Sequence, residues 1–174
     1  MFRRAGNAGE DGRIMSEKNR KSAIEAAYSF LDTRMRTKAE VERRLREKGY
    51  AEDEITEAVN ELIGMRYLDD YQYALRYYEY NREKRRGSGR AARELAEKGV
   101  DAETIRNARE DFLYSEKVDE YEDALAAALK ELELKPGLDE KSSARIGRKL
   151  DGKGFSRSDI FRVLEELRRR SGEE

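Results

Sequence analysis

The residues best suited to chemistry form one dense group of cations. Arg82, Lys84, Arg85, Arg86, Arg90 and Arg93 fall within twelve positions, with Glu83 the only acid among them. Gly87-Ser88-Gly89 interrupts the run. Cations at a glycine-rich elbow suit phosphates or carboxylates, which makes this segment the candidate contact for nucleic acid or an acidic protein surface. The competing reading is a solvated face of a very charged protein. Downstream, Asp101 to Asp123 carries nine acids against Arg106, Arg109 and Lys117. That stretch either balances the cations internally or repels nucleic acid from one side. Asp69-Asp70 invites a metal or acid–base reading, but no third ligand stands at sensible spacing, and acids just before a helix serve as caps. Six of the ten tyrosines lie between Tyr67 and Tyr80. Tyr71, Tyr78 and Tyr67 fit an apolar stripe; Tyr73, Tyr77 and Tyr80 cannot all share it. Aromatics beside cations stack on bases or anchor interfaces, although core packing accounts for most of these. Arg168-Arg169-Arg170 complements the C-terminal end of a helix dipole.

Other chemistry is excluded by composition. The 174 residues include no Cys and no His, which removes thiolate metal sites, thiol nucleophiles, disulfides and the commonest general base. No phosphate-binding loop or dinucleotide fingerprint occurs. Catalytic, cofactor and metal sites are therefore expected to be absent. No apolar run reaches the ~20 residues of a membrane span, so no membrane association and a cytoplasmic location are expected. Charged residues make up 43% of the chain, yet 37 basic residues nearly cancel 38 acidic ones, for a net charge of -1. Such balance fits helices laced by ion pairs better than a self-repelling coil.

The elements that must position these residues repeat along the chain. Gly49, Gly99 and Gly154 each follow a lysine and precede a hydrophobic residue, Tyr50, Val100 or Phe155. Four residues before each glycine stands Leu45, Leu95 or Leu150, and six after stands Ile55, Ile105 or Ile160. With glycine at C′ in the left-handed conformation, leucine falls at C3 and the hydrophobic residue at C″, the pair that a Schellman ending brings together. The helix before each glycine starts near Thr37, Ser88 and Ser142, with Thr37-x-x-Glu40 a capping box. Asp101 and Ser156 cap the helices that follow; Ala51 is a poor cap. An earlier helix precedes each pair, with stripes Ile24, Ala27, Tyr28, Leu31, then Tyr71, Ala74, Leu75, Tyr78, then Tyr121, Ala124, Leu125, Ala128. The expected fold is all-α: three tandem three-helix repeats, 19–66, 70–114 and 118–170, in an elongated, curved array behind a disordered leader, 1–18. Five extra residues in the third repeat are expected near Lys135-Pro136-Gly137.

Several of these residues match a known pattern. Arg34-x-x-Thr37-x-x-Glu40-Val41-x-x-x-Leu45-x-x-Lys48-Gly49-Tyr50 resembles the first motif of the RecX family of recombination regulators. Tyr67-Leu68-Asp69-Asp70-x-x-Tyr73-Ala74 resembles that family's central signature, and Arg86-Gly87-Ser88-Gly89 with Leu95-x-x-Lys98-Gly99-Val100 resembles its next block. Order and spacing agree over about 22–170. Thr37 stands where the family often has Ser, Arg90 where it often has Pro, and Arg66 where it usually has Gly. The resemblance implies a non-enzymatic regulator built of three-helix repeats. It implies binding to the RecA recombinase filament on single-stranded DNA, along its groove, with restraint of RecA ATP hydrolysis, co-protease activity and strand exchange. The other reading is a helical-repeat module that binds DNA directly, for which a net charge of -1 is unfavourable. Arg82, Lys84, Arg85, Arg86, Arg90 and Arg93 are the candidate filament- or DNA-binding residues, with no cofactor and a monomeric chain expected.

Overall fold

The computed structural model describes residues 21–115, 117–134 and 138–172. Among them are nine helices and no strand: α1 (Ala23–Leu31), α2 (Lys38–Glu47), α3 (Glu52–Gly64), α4 (Asp70–Glu83), α5 (Ser88–Glu97), α6 (Ala102–Ser115), α7 (Glu120–Leu134), α8 (Glu140–Lys153) and α9 (Arg157–Ser171). The leader expected over 1–18 and the insertion expected at 135–137 lie outside the described residues.

The glycine-terminated helices end as their spacing predicts. Gly49, Gly99 and Gly154 have φ of 80°, 81° and 86°. The N–H groups of Tyr50, Val100 and Phe155 donate to the carbonyls of Leu45, Leu95 and Leu150 at 3.2, 3.1 and 3.2 Å. The glycine N–H groups donate to Arg46, Ala96 and Asp151, completing the Schellman pattern, and both hydrophobic members of each pair are buried. Three more helix ends use the same bonding without glycine. Arg66, Arg85 and Lys117 adopt φ of 59°, 54° and 47°, and the next residues, Tyr67, Arg86 and Val118, donate back to Leu62, Asn81 and Leu113. A side chain in this region costs about 1–2 kcal/mol, so the chain carries local strain at three basic residues.

Helix starts follow local chemistry. Thr37 and Glu40 form the reciprocal box, both bonds 3.1 Å. Asp101 accepts from the Thr104 N–H and Ser156 from the Asp159 N–H. Ala51 has no capping side chain; Glu54 reaches back to its N–H at 2.8 Å instead. Helix α8 begins earlier than the expected Ser142, because Asp139 and Ser142 form a box at 2.7 Å that makes Asp139 the N-cap.

Contacts divide the described residues into two compact units, 21–35 with 41–67, and 36–40 with 68–172. In the first, Ala23, Ala26 and Ala27 of α1 are buried, whereas Ile24, Tyr28 and Leu31 are only half-buried, so the expected stripe is rotated toward the small residues. The second unit has two apolar clusters, one from α4–α6 centred on Tyr78, Leu95 and Phe112, the other from α7–α9 centred on Ala128, Ile146, Leu150 and Val163. The tyrosine expectation needs correction. Tyr67 lies before α4 and is 60% exposed, packed edge-on against Tyr28 at 5.2 Å between ring centres. Tyr73 is buried in its stead, with Tyr78.

Candidate functional site

The basic elbow is the turn between α4 and α5. Helix α4 stops at Glu83, Arg85 takes the left-handed turn, and α5 restarts at Ser88 with Gly87 as its N-cap. Glycine is required here by close approach. The Gly87 N–H donates to the Lys153 carbonyl at 2.9 Å, and a Cβ on Gly87 would overlap the Gly154 carbonyl. Ser88 donates its N–H (2.6 Å) and its hydroxyl (2.7 Å) to Glu120, the first residue of α7. Arg109 closes the network, Nε to the Ser88 hydroxyl at 2.7 Å and Nη2 to Glu120 at 3.2 Å. The elbow is thus a joint between the two apolar clusters.

Within the same unit, residues 37–39 repeat this construction. The Thr37 hydroxyl donates to the Lys98 carbonyl at 2.7 Å, and the Lys38 N–H to Asp70, the first residue of α4, at 2.8 Å. A Cβ on Gly99 would strike Ala39. This assigns the acidic pair: Asp69 caps α4 through the Gln72 N–H at 2.9 Å, and Asp70 caps α2 from outside it. Burial raises the pKa of Asp70, and the nearby charge of Asp101 adds to the rise against the Lys38 bond. Among the described residues no group of three or more acids could hold a metal ion, and no helix is long and apolar enough to cross a membrane.

The six candidate cations separate by partner. Arg82 pairs with Asp123 at 3.0 Å. Arg90 pairs with Glu94 at 2.8 Å and reaches the Gly152 carbonyl at 3.3 Å. Lys84 lies over the Tyr80 ring at 5.5 Å. Arg85, Arg86 and Arg93 make no ion pair among the described residues, and Arg85 and Arg93 are exposed. A seventh cation joins them: Lys153 donates to the Arg85 carbonyl at 3.2 Å. Burial lowers its pKa, and the charges of Lys149, Arg85 and Arg86 lower it further, against Glu131. The sequence shows Lys153 only as the residue before a terminating glycine, and nothing local signals its meeting with Arg85.

Beside the elbow lies a cavity of about 620 Å³. Arg82, Arg85 and Arg86, the carboxylates of Glu79, Glu83 and Asp123, and the buried Phe112 ring line it. The acidic stretch works internally at three points, since Asp123 and Glu120 bind Arg82 and Arg109, and Asp111 accepts from the Tyr71 hydroxyl. Tyr77 donates to Glu94 at 2.8 Å and Tyr78 to the Ile105 carbonyl at 3.1 Å; burial pushes both phenols up to about 12. Glu94 titrates below its ordinary range, because bonds from Arg90 and Tyr77 outweigh its burial. Of the terminal arginines, Arg169 and Arg170 share Glu166, at 2.8 and 2.6 Å.

Residues 23–62 match the family described as RecX, first three-helix domain. The chain is 37% identical to the regulatory protein RecX of Bacillus licheniformis, an alignment covering 84% of this chain and 55% of that protein. It is 32% identical to the regulatory protein RecX of Bacillus cereus, over 90% of this chain and 58% of that one. The chain thus spans just over half the length of these curated relatives. The crystal structure of RecX from Lactobacillus salivarius superimposes with a TM-score of 0.73 at 28% identity, covering 83% of this chain and 94% of that one. With the order of its capping motifs, glycine endings and central Tyr-Leu-Asp-Asp signature, this chain belongs to the RecX family of regulatory proteins.

Proposed function

We propose that this chain regulates the RecA recombinase, mainly as an inhibitor. In this reading it binds the RecA filament on single-stranded DNA as a monomer, without catalysis or cofactor of its own. It restrains ATP hydrolysis, co-protease activity and strand exchange, and so acts in recombination, repair and the SOS response in the cytoplasm. The working units are three-helix repeats over 19–66, 70–114 and 118–170. Family membership brings RecA into the reading. The observation that carries the contact is the elbow, where Arg85, Arg86 and Arg93 make no ion pair among the described residues while Arg82 and Arg90 are paired. Uncommitted guanidinium groups attract a polyanionic filament and make its binding fall with salt.

The test is RecA ATP hydrolysis on single-stranded DNA, with this chain and with its Arg85→Ala/Arg86→Ala/Arg93→Ala variant. Inhibition by the variant should weaken together with filament binding, while its folding is unchanged. Equal inhibition at moderate salt would place the contact elsewhere, with Arg168 the next candidate. Arg90 is a poor probe because its replacement also removes the bonds to Glu94 and Gly152. The same free cations favour a second reading, direct binding to DNA. Titration with single-stranded DNA alone and with preformed filament, each at two salt concentrations, separates the two.

A further inference from the structure

The cavity beside the elbow has a lining with two characters. Arg85 and Arg86 supply two cations that make no ion pair among the described residues, beside Arg82, which is paired with Asp123. The same cavity exposes the carboxylates of Glu79 and Glu83, neither of which forms an ion pair among the described residues, together with the Asp123 partner of Arg82. Phe112, stacked on Tyr78 at 5.5 Å between ring centres, gives it an apolar wall. An acidic peptide would meet three carboxylates, and a basic one would meet three arginines. The lining suits a ligand carrying an anion at one end and hydrogen-bond donors at the other, on a planar apolar body.

The geometry points to a nucleotide site: this cavity accepts one nucleotide whose base bears an exocyclic amine, cytosine, adenine or guanine, with its phosphate on Arg85 and Arg86. Guanidinium groups bind phosphate oxygens through paired N–H donors. Carboxylates accept from the amino group of cytosine, a contact thymine cannot make. A volume of about 620 Å³ is in the range of small-molecule sites and is large enough for one nucleotide. Arg85 itself is held at φ 54°, a backbone strain of the kind that collects at binding sites. This inference goes beyond the regulation of RecA and does not depend on it. A nucleotide could come free or as one unstacked residue of a single strand; the chemistry recognised is the same.

The experiment is calorimetric titration of the full chain with dCMP, AMP, GMP, dTMP and inorganic phosphate, and then with dC15 and dT15 oligonucleotides. Expected is saturable binding of dCMP, AMP and GMP at least 5-fold tighter than of dTMP. Arg85→Gly and Arg86→Ala should each weaken it 5-fold or more, and Glu79→Gln/Glu83→Gln should erase the preference over dTMP. Arg85→Gly removes the guanidinium while relieving the backbone, so a loss of binding with an unchanged or raised Tm cannot be blamed on misfolding. Affinity per site that is higher for dC15 than for dCMP identifies a strand as the source, and equal affinity identifies the free nucleotide. Absence of binding up to 10 mM, or dTMP bound as tightly as dCMP, overturns the proposal. Inhibition of RecA by the unsubstituted chain and by Glu79→Gln/Glu83→Gln, which leaves the arginines in place, shows separately whether the regulatory reading stands.

Discussion

Glu120 holds the first turn of a helix to which it does not belong. Its carboxylate takes both the N–H and the hydroxyl of Ser88, at 2.6 and 2.7 Å, and is held in turn by Arg109. Asp70 likewise accepts the Lys38 N–H, at 2.8 Å. Each acid is the first residue of its own helix; loss of Glu120 takes the acceptor from a buried N–H, whereas the Lys38 N–H is exposed.

Replacement of Glu120 by Ala should destabilise the protein by about 2–3 kcal/mol, because a buried N–H and the Arg109 charge lose their partner together. Glu120→Gln keeps an acceptor and should cost less. Urea denaturation of the two variants gives the comparison, and equal midpoints for Glu120→Ala and the parent would show that the cap carries no energy.

The three Schellman glycines should rank by crowding. A Cβ at Gly49 meets nothing within 4 Å, whereas one at Gly99 strikes Ala39 and one at Gly154 strikes the Arg90 backbone. Gly49→Ala should cost about 1–2 kcal/mol, from the left-handed backbone alone. Gly99→Ala and Gly154→Ala should each cost distinctly more, and Gly99→Val more still. Thermal melting of the set checks the order.

Arg66 adopts φ 59° where the family pattern has glycine. Arg66→Gly should therefore stabilise by about 1 kcal/mol, less the greater freedom glycine gives the unfolded chain. A fall in Tm would mean that the arginine side chain contributes more than its backbone costs.

Asp70 supplies a prediction with a pH signature. Its raised folded pKa means that its contribution to stability is full below the unfolded value near 3.8 and is lost as pH rises through the folded value. At neutral pH its charge is therefore a burden offset by the bond to Lys38. Asp70→Asn retains an acceptor for that bond and removes the repulsion from Asp101. The variant should melt above the parent at pH 7, by less than about 1 kcal/mol, and match it at pH 3. A difference that persists at pH 3 would assign the effect to packing.

What the sequence reveals of the fold is whatever is written locally. Leu95, Lys98, Gly99 and Val100 lie within six residues and determine one another through backbone bonds, so the helix endings and the Thr37–Glu40 box are legible without coordinates. Tyr67 was misread because its stripe membership depends on where α4 begins, which Asp69 decides two residues later. The candidate site was legible only as charge. That Arg82 is paired, while Arg85 and Arg86 make no ion pair among the described residues, depends on Asp123, 41 residues away in sequence; Arg90 pairs locally with Glu94 but also reaches the Gly152 carbonyl, 62 residues away. Lys153 enters the site the same way, across 68 residues, and no local pattern records such a meeting.

The Lys153-Gly154 turn ends α8 and also receives the N-terminus of α5 through the Gly87 bond. One backbone segment therefore sits in two structures at once. Fraying α8 from its C-terminal end withdraws the acceptor from Gly87, and lifting α5 away uncovers the turn. In the language of a one-dimensional lattice, the coupling between the α4–α6 and α7–α9 clusters is written into the same hydrogen bonds that give each cluster its intrinsic stability. Neighbours that share bonds in this way melt as one cooperative block, so the smallest independently unfolding segment here is larger than three helices.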